Sequence, residues 1–243
     1  MSELTDQVSV SIDALMQEFE IITHNLANVS TVGYKRFCNS FSQALQSQEG
    51  SMADSFESTP IDLVLDFSQG SIIETGRPLD FALYGKGFFV IETTEGPLYT
   101  RNGTFMTNEN GQIVDTEGHI VAGQAGPITI PAGVGVSQLS VSSDGTISAG
   151  GTVIGKFRFV DFGDNENKLV PVGANCFQMT DPEVQPVEAE HIAVKQGYQE
   201  ASNVKIVDEL VDMIMVSRLY EANMKLLSAV SEASSSIMGV AMG

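Results

Sequence analysis

Apolar residues near the N-terminus fall at Val8, Ile12, Leu15, Phe19, Ile22, Leu26 and Val29, in alternating steps of four and three. This stripe predicts one amphipathic helix over about residues 4–30. Asn25 and Asn28 sit in its last turns, and Gly33 is placed to stop it. The C-terminal end repeats the phase at Ile206, Leu210, Met213, Ser217, Tyr220, Met224, Leu227, Ser231 and Met238. Ser202 or Asn203 is placed to cap that second helix, with Asp208 and Glu209 near the positive end of its dipole. Val207, Val211, Ile214, Leu219 and Leu226 widen its apolar face beyond what a two-helix seam uses.

Between the helices the period changes to that of short strands. Leu79–Tyr84, Phe88–Ile91, Leu98–Thr100, Gln112–Asp115, Ile128–Ile130, Leu139–Val141 and Lys156–Val160 are separated by turn signals such as Asn102-Gly103, Asn110-Gly111 and Asp144-Gly145. Gly85, Gly87, Asn102 and Gly103 read as turn residues with positive φ. All eight prolines lie between Pro60 and Pro186, and 18 of the 23 glycines between Gly70 and Gly173, so helix breakers are concentrated in the middle. The expected organisation is α+β. A helix occupies residues 1–35, a linker 36–69, an antiparallel β domain (sandwich or barrel-like) 70–190, and an approach segment with the second helix 191–243. The two helices are expected to pair as a coiled-coil-like assembly domain.

Composition narrows the function. Of 243 residues, 31 are acidic and 12 basic, a formal net charge of −19. That balance argues against nucleic acid, which needs a surplus of Lys and Arg on at least one face. It argues equally against an anionic membrane surface. No apolar run reaches the roughly 18 residues of a membrane helix, so no membrane insertion is expected. The first residues, Met1-Ser2-Glu3-Leu4-Thr5-Asp6, are acidic where a secretory signal is basic. Cys38 and Cys176 are too few for a disulfide framework.

The residues that carry chemistry are scattered. His24, His119 and His191 share no metal-ligand spacing, and no Cys lies near a His in sequence. Gly85-Lys86-Gly87 lacks the third glycine of a dinucleotide loop. Asp161, Asp164, Asn165 and Glu166 miss the calcium-loop pattern and read as a solvated loop. No catalytic, metal or cofactor site is predicted, and an enzyme is not expected.

The end stripes leave two readings open. The helices can pack on each other and on the β domain within one chain, or their wide apolar faces can contact other copies. A different class of function is an acidic β binding module, adhesin-like, carried on a helical stalk and using exposed aromatics such as Tyr84 and Tyr99.

Three segments resemble the signatures of the bacterial flagellar rod and hook protein family. The first runs His24-Asn25-Leu26-Ala27-Asn28-Val29-Ser30-Thr31-Val32-Gly33-Tyr34-Lys35-Arg36. The second includes Pro78-Leu79-Asp80-Phe81-Ala82, Gly85-Lys86-Gly87-Phe88-Phe89 and Tyr99-Thr100-Arg101-Asn102-Gly103. The third runs Gln196-Gly197-Tyr198-Gln199-Glu200-Ala201-Ser202-Asn203-Val204 and continues to Arg218-Leu219-Tyr220-Glu221-Ala222-Asn223. Within the family the chain is most similar to the proximal-rod type, with the distal-rod type next. The two cysteines and the Asp-rich Asp161–Asn167 depart from the pattern.

The resemblance implies terminal helices paired as an inner tube, a β domain outside, and helical stacking into the rod that links motor to hook. Such stacking is a heterologous, non-closing contact. It also implies copies of the chain and neighbouring rod subunits as partners. Passage through the flagellar export apparatus without a cleaved signal, and a place in the periplasmic basal body, follow in the same way.

Overall fold

The computed structural model describes residues 2–39 and 63–242, so most of the expected linker lies outside the described residues. The chain divides into two compact units. One, here the helical unit, holds Met1–Asn28, Phe37–Asp66 and Val204–Gly243; the other, the β unit, holds Val29–Arg36 and Phe67–Asn203.

In the helical unit α1 spans Ser2–Ala27 and α2 spans Ile206–Met242, with a small sheet of β1 (Arg36–Asn39) and β2 (Leu63–Asp66). Neither Gly nor Pro interrupts α1, so every residue can continue the helix. It stops at Ala27, before Val29, which lies in the following turn. Asn28 closes the end: its amide N–H reaches the carbonyls of His24 and Asn25, and its carboxamide donates to His24 O at 2.9 Å. Of the α1 stripe, Val8 and Ile22 are buried, Ile12, Leu15 and Leu26 half-buried, and Phe19 exposed.

α1 lies against α2. The least exposed line of α2 runs through Glu209, Met213, Val216, Asn223, Leu227 and Val230, in steps of three, four and seven. It shares Met213 and Leu227 with the apolar stripe, but elsewhere it runs one residue earlier in the chain. Ile206, Leu210, Tyr220 and Met224 are correspondingly exposed. Glu209 explains the rotation. Fully buried, its Oε2 accepts a hydrogen bond from Asn25 Nδ2 at 3.4 Å, which turns that edge of α2 inward.

The β unit is antiparallel at every recorded pairing. Its main sheet runs β15 (Leu169–Gly173), β16 (Cys176–Met179), β6 (Gly96–Thr100), β5 (Phe88–Thr93), β9 (Ile120–Gly123), β8 (Ile113–Val114) and β7 (Met106–Thr107). β10 (Gly126–Pro127) joins β9, β14 (Phe159–Asp161) joins β5, and β17 (Val187–Glu188) joins β14. Three strands, β11 (Leu139–Val141), β12 (Thr146–Ala149) and β13 (Thr152–Lys156), form a second sheet. Two late strands return to early ones: β18 (Ala193–Gln196) pairs β4 (Phe81–Tyr84), and β19 (Tyr198–Glu200) pairs β3 (Ile72–Glu74).

The expected run Lys156–Val160 is broken at Phe157, which leaves β13 and enters the core before β14 begins. Ile128–Ile130 forms no strand, although Thr129 bridges Gln112. β5 buries Phe88, Phe89, Val90 and Ile91 in succession, because aromatic clusters lie on both of its sides. On one side Phe89 meets Phe105 at 5.0 Å and Phe157 and Phe159 at 5.6 Å. On the other, Phe88 meets Phe67 at 5.4 Å, and Phe67 meets Phe177 at 5.2 Å. These edge-to-face contacts suit the ring quadrupole.

Candidate assembly surface

Four distant stretches of chain are fastened by buried charges inside the β unit. Lys35 Nζ lies 2.7 Å from Glu200 Oε1 and also donates to Ser68 O at 2.7 Å. Glu200 Oε1 further accepts the Gly70 N–H at 3.0 Å. Its other oxygen accepts no aligned hydrogen bond, but sits 3.3 Å from Arg101 Nε. The two terminal nitrogens of Arg101 donate to Gly87 O and Gly85 O at 2.7 and 2.8 Å. Lys35, Arg101 and Glu200 are all buried, so two cations share one carboxylate away from water. Burial pulls the Arg101 guanidinium down from its usual range, and Glu200, then Glu166 and Asp161, pull it back up.

The signature residues are the parts of this fastening and of its neighbours. Gly33 donates its N–H to Glu200 O at 2.8 Å. Its φ of +71° and a virtual Cβ only 2.5 Å from Asn102 N leave room for glycine alone. Asn203 Oδ1 accepts the Arg36 N–H at 2.8 Å, and its amide donates to Ser68. Helix α2 itself begins at Ile206. Ser202 and Val204 are buried. Thr100 Oγ1 donates to Asn175 O at 2.8 Å.

Gly85 and Gly87 do take positive φ, and this aims their carbonyls at Arg101. Asn102 and Gly103 do not take positive φ. Asn102 Oδ1 instead accepts the Thr104 N–H in a side-chain turn. Gly103 is glycine because a Cβ would collide with Phe81 O.

In the helical unit Asn25 is the equivalent fastening. Its carboxamide donates to Phe37 O and accepts the Phe37 N–H, both at 2.9 Å, so a side chain pairs with a strand as a backbone would. Leu26 and Ala27 complete the last turn of α1.

Lys35 and Glu200 carried no role in the sequence reading. The available signal was that Lys35 is the first Lys or Arg of the chain, two residues after Gly33, which lies six residues beyond the end of α1 and does not stop it. Tyr99, expected to be an exposed aromatic, is buried with its ring 4.8 Å from Phe162, whereas Tyr84 is exposed. Cys38 and Cys176 are both buried. Asp161 Oδ1 accepts the Gly163 N–H within the Asp-rich loop. Among the described residues no group of three or more His, Cys, Asp or Glu is placed to hold a metal. Nor is any helix there long and apolar enough to cross a membrane.

What remains open is the outside of the helices. On α2, Val207 is 72% exposed, and Val211, Ile214, Met215, Leu219 and Leu226 are each about half exposed. On α1, Val10, Met16 and Phe19 are exposed. Apolar side chains so grouped on one long element mark a surface that another surface covers.

Comparison with known proteins identifies the family. Residues 82–149 match the family described as flagellar hook protein FlgE/F/G D1 domain, and residues 195–240 the flagellar basal body rod FlgEFG protein C-terminal family. The chain is 32% identical to the flagellar basal-body rod protein FlgG of Agrobacterium fabrum, over 93% of this chain and 95% of that protein. It is 32% identical to FlgF of Mesorhizobium japonicum, over 91% and 90%, and to FlgF of Salmonella typhimurium, over 87% of each. The chain belongs to the flagellar basal-body rod protein family.

A rod protein is a structural subunit, and the geometry fits that role. Within the β unit the matched D1 segment contributes β4, β5 and Arg101, and the matched C-terminal segment contributes Glu200. The binding module on a stalk is not favoured by this membership. FlgG and FlgF relatives match at the same identity, so similarity does not separate the two types.

Proposed function

We propose that the chain polymerises through its two terminal helices into the basal-body rod that links motor to hook, in the proximal part of that rod. The helices pair in coiled-coil fashion, and their outer faces contact copies of the chain and neighbouring rod subunits. The antiparallel β unit is a sandwich or barrel-like domain that polymerisation leaves intact. The chain reaches the periplasmic basal body through the flagellar export apparatus without a cleaved signal, and its role is mechanical rather than catalytic. The short segment 36–69 is what supports the proximal position.

One observation carries the reading: α2 keeps a broad apolar face exposed after α1 has taken its seam. Covering even three such side chains is worth about 1.5–3 kcal/mol each, which favours association strongly when repeated along a filament. The test is Val211→Asp with Ile214→Asp. Purified protein should keep its helix content and unfolding midpoint, while rod incorporation in cells and swimming are lost. Normal incorporation would overturn the proposal.

A further inference from the structure

Charge distinguishes the two outer helix faces, and it selects how copies meet. No Lys or Arg precedes Lys35, so apart from His24 in its last turn α1 carries only acids as charged groups, among them Asp13 and Glu20, seven residues apart and both exposed. At 1.5 Å per residue their separation along the axis is about 10.5 Å. Met16 stands exposed between them.

On α2, Arg218 and Lys225 are also seven residues apart and exposed, on the side that carries Val211. None of these four charges has an ion-pair partner among the described residues. Glu221 lies beside the two cations and reduces their surplus without removing the match in spacing. Two α1 faces repel each other, because each presents acids only, whereas α1 against α2 sets two anions opposite two cations.

Resting on the assembly reading above, we propose that the outer face of α1 in one copy seats on the outer face of α2 in a second copy. Asp13 and Glu20 meet Arg218 and Lys225, with Met16 packed towards the exposed Ala222 between the two cations. The contact is heterologous, leaving α2 of the first copy and α1 of the second free to continue, so it propagates instead of closing.

The test uses the full chain in sedimentation velocity at 50 and 500 mM NaCl, with far-UV circular dichroism to confirm helix content. Self-association should weaken about tenfold in D13K/E20K, in R218E/K225E and in wild type at the higher salt. The combined D13K/E20K/R218E/K225E variant should recover to within roughly threefold of wild type at low salt, because the pairs are restored with reversed sign.

Reversed variants that associate like wild type, or a combined variant no better than its parents, would sink the register. So would a wild-type chain that stays monomeric at every salt concentration. If the Val211→Asp, Ile214→Asp protein fails to incorporate into rods while the charge variants incorporate normally, the assembly reading stands and this register falls. If that apolar-face protein incorporates normally, the assembly reading itself falls, and the register with it.

Discussion

The β unit and the helical unit treat their costly groups in opposite ways. In the β unit, charges are buried with partners: Lys35 and Arg101 converge on Glu200, and the carbonyls of Gly85 and Gly87 complete the guanidinium's hydrogen bonding. In the helical unit, apolar side chains are left outside, on α2 above all. A protein that functions alone has no reason to keep that second arrangement. The contrast separates a region that satisfies its own groups from one that leaves apolar groups exposed, and the proposed rod contacts fall on the second.

The sharpest way to break this comparison is at the buried charges. Glu200→Gln leaves two buried cations without their anion, and should cost about 3–5 kcal/mol in a urea titration followed by circular dichroism. Lys35→Met should cost less, because Arg101 and Glu200 then balance one to one. Equal losses for the two variants would mean that Arg101 contributes nothing to the balance. A 70–190 fragment would lack β18, β19 and Glu200, and with them the partners of β4, β3 and Arg101.

Asn25 offers a test inside the helical unit. Asn25→Ala strands both the N–H and the carbonyl of Phe37, and the expected loss is about 1–3 kcal/mol. Asn25→Asp keeps the acceptor for the Phe37 N–H but loses the donor and sets a carboxylate beside Glu209, so it should be no milder than alanine. A milder aspartate would show that Glu209 is not held where the hydrogen bond puts it.

These fastenings show what sequence periodicity carries and what it does not. The α1 stripe was legible because a helix facing one partner must repeat every 3.5 residues or so, and Val8, Ile12, Leu15 and Ile22 do. The turn signals around Asn102-Gly103 and Asp144-Gly145 located the β region for the same local reason. The Lys35–Glu200 pair joins residues 165 positions apart, and no local period records a charge pair. The α2 seam ran beside its apolar stripe because Glu209, a charged residue, took an inward position that hydrophobicity assigns to Leu210. The return of β18 and β19 to β4 and β3 was hidden because each is a strand of three or four residues with mixed polarity.

Cys176 reports on how tightly the β unit is sealed. Burial foremost, with Asp115 adding to it, pushes its thiol up to about 11. Its folded value lies above the unfolded one, so the contribution to stability is fully present below about pH 8.5–9 and is lost as pH rises through 11. Alkylation by iodoacetamide at pH 8 should therefore be far slower at Cys176 in folded than in urea-unfolded protein. Similar rates in the two states would show that this side of the sheet opens readily.

The smallest expected effect is the most informative about the helices. Ile214 is 55% exposed, so Ile214→Ser removes little buried surface from the isolated chain. Its unfolding free energy should move by no more than about 0.5 kcal/mol. A loss of 2 kcal/mol or more in a confirmed monomer would mean that the α2 face is covered within one chain, and the contrast between the units would dissolve. With the monomer unchanged and filament formation impaired, the energy associated with that face must arise between copies, where a small loss per contact is multiplied along the filament. That multiplication is how a substitution invisible to thermal melting can stop a rod from growing.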